Sequence, residues 1–122
     1  MTRVKNFIIL TPLLLLITML VCTPRIHITE FHVEYASRHW ENVDSAYLAY
    51  GGTLYRQRCA SCHFLPRIED YDSAKWVSLV DEYSDEAKLT PEEKRAVLIY
   101  VLTELAFIKA RELPQDRERF NE

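Results

Sequence analysis

Five consecutive residues constrain this chain more than any others: Cys59-Ala60-Ser61-Cys62-His63. Two thiols one helical turn apart, followed at once by an imidazole, form the attachment signature for haem c. The geometry explains the spacing. Thiols three positions apart reach two vinyl groups on one porphyrin edge, and the next residue turns its imidazole onto the iron. Three other chemistries use paired cysteines. A zinc ribbon needs a second ligand pair, and the only remaining cysteine is Cys22. A thioredoxin-like redox pair needs a βαβ setting, which the flanking sequence lacks. A structural disulfide gives His63 no part. The expected site is therefore one covalent haem c on Cys59 and Cys62, with His63 as the proximal iron ligand.

The amino-terminal residues say where such a site would work. Arg3 and Lys5 precede an apolar run from Phe7 to Cys22, interrupted only by Thr11, Pro12 and Thr18. A short basic region before a short apolar one is the pattern of an export signal. The run is 16 residues long, slightly under the roughly 17–25 of a spanning helix. Cys22 stands where a lipid-modified cysteine would, although Val21 replaces the small residue such a site prefers. An uncleaved anchor helix, a lipidated Cys22 and a cleaved signal peptide all remain open, and each puts the domain outside the cytoplasm. The expected location is periplasmic or otherwise extracytoplasmic, attached to the membrane.

With 122 residues the chain has room for one small domain. A net charge of −3 gives no electrostatic case for nucleic acid. Without Arg3 and Lys5 the balance is 13 basic against 18 acidic side chains, which serves solubility and can steer basic partners. No pair of acidic residues stands out for acid–base work, so an electron carrier is expected rather than a dedicated enzyme.

The periodicity is helical throughout, and the expected fold is all-α. Val43, Tyr47, Tyr50 and Leu54 recur at helical spacing and lead into the cysteine motif, with Asn42 or Asp44 as the cap. A second helix opens at Asp72 or Ser73 and puts Trp76, Leu79, Val80 and Tyr83 on one face. Thr90-Pro91-Glu92-Glu93 is a capping box with proline at the first helical position. The helix it starts carries Val97, Tyr100, Val101, Leu105 and Ile108 on one stripe, with Lys109 and Arg111 near the end its dipole favours for cations. The divisions read from this are 1–22 signal or anchor, 23–42 linker or amino-terminal extension, 43–110 the haem domain, and 111–122 a charged tail that frays after Pro114.

With these residues in place the chain resembles the monohaem class I c-type cytochromes over roughly residues 43–108. In that family a helix with a glycine eight residues, and an aromatic four residues, before the first haem cysteine crosses a carboxyl-terminal helix bearing an aromatic. Gly51, Tyr55 and Tyr100 occupy those places. The resemblance implies a small cytochrome c-like fold around one haem and transfer of single electrons between redox partner proteins, with a subunit role in a respiratory or photosynthetic assembly as a variant. Arg67, Tyr71 and Trp76 are candidates for the surroundings of the haem propionates.

One departure matters. The family usually completes the iron coordination with a methionine, and the only methionines here are Met1 and Met19. Where a subset of the family has Trp-x-x-x-Val-x-x-Met, this sequence has Trp76, Val80 and Tyr83. Tyr83 is thus one candidate for the distal iron ligand, or an aromatic that only covers the distal side. His27, His32 and His39 are the others, with His39 the nearest to the domain. An open sixth position is the third case, and it carries the alternative function of binding or sensing a small gas.

Overall fold

The structure, a computed structural model, describes residues 25–61 and 65–119. The apolar run with Cys22, both methionines, and Cys62 and His63 lie outside the described residues. Among the described residues four α-helices follow one another: α1 Glu30–His39, α2 Ser45–Arg58, α3 Ser73–Tyr83 and α4 Pro91–Arg119. Short 3-10 turns lie at Cys59–Ser61 and Ile68–Asp70. No strand occurs among the described residues, and no helix among them is long and apolar enough to cross a membrane.

Side-chain caps start the last three helices where the sequence places them. The Asp44 carboxylate accepts the Tyr47 backbone N–H at 2.8 Å, and Asp72 accepts that of Lys75 at 2.8 Å. At α4 the Thr90 N–H donates to Glu93 Oε2 at 2.8 Å and the Glu93 N–H donates to Thr90 Oγ1 at 3.2 Å, so the capping box is closed in both directions. Helical bonding runs one turn past Tyr83 before it stops. Leu89 N–H then reaches Ser84 O at 2.9 Å and Lys88 N–H reaches Asp85 O at 3.0 Å, with Lys88 left-handed at φ 54°. This pair of bonds is the Schellman closure, and it satisfies carbonyls that would otherwise end the helix unpaired.

The seam between α2 and α4 organises the core. A Cβ on Gly51 would lie 2.1 Å from the Ala96 carbonyl oxygen and 3.0 Å from Tyr100 Cβ. The two backbones therefore touch at Gly51, which is the close approach expected of this glycine. Along the seam Leu54, Tyr55, Val97, Tyr100, Val101 and Leu105 are buried, and α3 adds Trp76 and Val80 to the same cluster. A second, smaller cluster of Ala36, Val43, Leu48 and Ile99 joins α1 to the other elements.

Two expectations need correction. Tyr50 does not belong to the buried stripe of α2. It is 45% exposed, because the seam runs through Leu48, Gly51 and Tyr55, and the position next to Gly51 is turned about 100° away. Within the amino-terminal extension, α1 packs on the domain through His32 and Ala36. Finally, the backbone of α4 continues through Pro114 to Arg119 instead of fraying. Proline there removes a backbone donor and crowds the carbonyl four residues back, while Arg111, Glu112, Leu113 and Gln115 around it favour helix.

Candidate functional site

Cys59 continues α2 into the 3-10 turn and is half-buried. Its position follows from the seam: eight residues after Gly51 it is carried to the end of α2, where the chain leaves the helix. There it lines a cleft of about 250 Å³, slightly under the roughly 300–1,000 Å³ of most small-molecule sites and open on one side. Leu65, Pro66, Trp76, Leu79, Val80 and Tyr83 are among the other lining residues. The walls are mainly apolar. They come from the chain after the cysteine motif and from one face of α3.

Hydrogen bonds and ring contacts fix these walls. Trp76 is 3% exposed, and its indole N–H donates to Ile68 O at 2.8 Å. The Trp76 ring meets Tyr55 edge-on at 5.9 Å and Tyr71 at 5.7 Å, a favourable arrangement for aromatic pairs. The Tyr55 hydroxyl donates to the Pro66 carbonyl at 2.8 Å. Burial pushes the Tyr55 phenol far above its ordinary range, and the neighbouring Cys59 adds to the shift, so Tyr55 stays a protonated donor. One tyrosine four residues before Cys59 thus clamps the chain after the motif back onto α2.

The expected site residues separate into two groups. Cys59 and Tyr83 share the cleft, as do Tyr71 and Trp76. Tyr83 is 41% exposed, at the carboxyl end of α3. Arg67 is not among the lining residues and pairs with Glu69. The histidines are elsewhere too. His27 is exposed. His39 stacks on Tyr35 at 4.2 Å at the end of α1, with its Nδ1 2.7 Å from the Tyr35 carbonyl. His32 is 1% exposed and committed at both ring nitrogens. The Thr29 backbone N–H can only donate, so Nδ1 accepts it at 3.1 Å and Nε2–H donates to Glu104 Oε2 at 2.9 Å. No described histidine lines the cleft, and the distal candidate His39 is not brought to Cys59.

The sequence reading missed both charged lining residues, Arg58 and Glu86. Arg58 immediately precedes Cys59, so its place could have been inferred from that adjacency. Glu86 lies in the turn after α3, and no periodicity marks it. Among the described residues no group of three or more His, Cys, Asp or Glu could hold a metal ion. The arrangement is a mainly apolar cleft with the Cys59 thiol at its edge and Arg58 among its walls. Comparison with protein-family models, curated proteins and solved structures finds no match to this chain.

Proposed function

We propose that the protein is a monohaem c-type cytochrome that passes single electrons between redox partner proteins on the outer side of the cytoplasmic membrane. One observation carries the reading: the first cysteine of the attachment motif opens onto an apolar cleft walled by α3. The crossing of α2 and α4 at Gly51 supports a small class I cytochrome c-like arrangement. The run from Phe7 to Cys22 would export the domain and hold it at the membrane, as a spanning helix or through a lipidated Cys22.

In this reading Cys59 and Cys62 would hold the haem through thioether bonds, and His63 would bind its iron. The bound haem supplies an iron that takes up and releases one electron. The chain supplies the surroundings. Trp76, Leu79 and Val80 exclude water from one side and lower the local dielectric, a lever on reduction potential. Tyr55 and Trp76, through their bonds to Pro66 O and Ile68 O, keep the walls from moving between oxidation states. Binding of a small gas is the second reading. It is favoured by the lack of any described histidine or methionine in the lining.

The test uses the full chain, expressed in a host that exports proteins and attaches haem c. The wild type is expected to keep a haem-stained band on a denaturing gel and to titrate as a one-electron couple. Cys59→Ala combined with Cys62→Ala should abolish the band. A stained band at the protein's mass in the double variant, or a wild type without covalent haem, overturns the proposal.

A further inference from the structure

We infer that Trp76 and Tyr71 form a relay that carries an oxidising equivalent out of the cleft and presents it to solvent as a Tyr71 radical. The inference goes beyond the haem reading and does not depend on it, since it uses only rings of the chain itself. Indole and phenol are the side-chain rings that give up one electron most readily, and here they stand in a row. The Tyr100 and Tyr55 centroids lie 6.1 Å apart, those of Tyr55 and Trp76 5.9 Å, and those of Trp76 and Tyr71 5.7 Å. These are separations of rings in contact. Electron exchange weakens steeply with distance, so contact is what such a relay needs.

The fate of the proton gives the row its direction. A phenol that loses an electron becomes a strong acid and must lose its proton as well. Tyr55 is 5% exposed and donates its hydroxyl to the Pro66 carbonyl at 2.8 Å, an amide oxygen too weakly basic to keep a proton. Tyr100 is just as buried and lies a ring further from Trp76. Burial raises its phenol, and the Arg56 guanidinium bonded to it is a cation that accepts no proton. Tyr71 differs. It is 38% exposed, so water takes its proton. Trp76 is 3% exposed and gives its indole N–H to the Ile68 carbonyl at 2.8 Å. Once oxidised it therefore keeps that proton and remains a radical cation, which draws an electron from its neighbour more strongly than a neutral radical does.

The steps balance. A one-electron oxidant that enters the cleft, such as a radical derived from a peroxide, takes an electron from the Trp76 ring in its wall and is itself reduced. Tyr71 returns one electron to Trp76 as its O–H bond breaks, and the proton passes to water. A soluble thiol then gives the Tyr71 radical one electron and one proton and leaves as a thiyl radical. Both rings end as they began. Oxidation is thus moved from a buried ring beside Tyr55 and Cys59 to one that solvent reaches.

Laser flash photolysis of the purified full chain tests this, in a Trp40→Phe background that leaves Trp76 as the sole indole. Light at the long-wavelength edge of indole absorption ejects an electron from Trp76 and none from tyrosine. The indolyl absorption should decay while a phenoxyl absorption rises with the same time constant. Tyr71→Phe, which removes only a hydroxyl, should abolish the rise and prolong the indolyl radical. Tyr55→Phe should leave the rise in place. Decay without a matching rise overturns the inference, as does a rise that persists in Tyr71→Phe. Loss of the rise in a Tyr55→Phe chain that retains the wild-type circular dichroism overturns it too. A haem-stained denaturing gel of the same sample tests the cytochrome reading separately, and a missing stain counts against that reading alone.

Discussion

Replacing Gly51 by alanine probes the contact on which the fold turns. The added Cβ would sit 2.1 Å from the Ala96 carbonyl oxygen and 2.7 Å from its carbon. Ordinary contact begins near 3.4 Å, so α2 and α4 must separate by more than an ångström at their crossing. The obstacle is backbone, which no rotamer change can relieve. Overpacking of this kind costs about 1–3 kcal/mol, and a backbone obstacle belongs at the upper end. Alanine in place of glycine inside a helix returns about 1 kcal/mol. The net loss is about 2 kcal/mol, a fall in Tm of about 8–16 °C for a domain this size. Gly52→Ala is the control. Its Cβ would meet Ile26 Cγ2 at 2.9 Å and the Tyr100 ring at 2.8 Å, side-chain atoms that can yield, so its net change should be under about 1 kcal/mol. Thermal and urea unfolding of both variants measure the difference. A Gly51→Ala protein as stable as wild type would refute the close crossing.

Two further outcomes follow from hydrogen bonds at helix ends. His32→Ala removes bonds to Thr29 and Glu104 and a ring packed 4.4 Å from Phe107; it should cost about 2–3 kcal/mol in urea unfolding, and a loss under about 0.5 kcal/mol would contradict the docking of α1. Glu93 is held below its ordinary value of 4.5, first by the Thr90 backbone N–H. A carboxyl depressed in the fold adds stability above its ordinary range that disappears as pH falls through the folded value, so wild type should lose stability in acid there. Glu93→Gln, whose amide oxygen keeps the capping box, should lack that part of the decline; identical Tm-against-pH curves would contradict the assignment.

Helix starts were the most legible feature of the sequence, because a cap is local chemistry. Asp44, Asp72 and Thr90 each bond a backbone N–H three residues on, and spacing alone reveals them. Gly51 was legible for a different reason: a glycine in the middle of a helical pattern needs a cause, and close approach supplies one. The α1 helix was not legible. Its buried polar residue, His32, finds its partner Glu104 at a separation of 72 residues, and no local pattern can show that bond. Without it, His32 reads as a surface residue and its segment as a linker. Tyr50 was misassigned because Tyr47, Tyr50 and Leu54 fit a helical stripe as well as Leu48, Gly51 and Tyr55 do, and only the crossing decides between them. In the site, Tyr83 was placed by its spacing from Trp76. The distance of His39 from the cleft depends on how α1 docks, which is a long-range event.

The seam at Gly51 also has a temporal consequence. Its two halves, Gly51 and Ala96, are 45 positions apart in the chain, and the second is contributed by the last helix. A chain that emerges amino-terminus first, at about 5–20 residues per second, presents the end of α2 seconds before α4 exists to cover it. Throughout that interval Cys59 stands on an unfinished domain, with its walls not yet assembled and its thiol reachable by any enzyme that modifies it. Arrival of Ala96 and Tyr100 then closes the crossing and completes the frame on which the walls around the thiol are set.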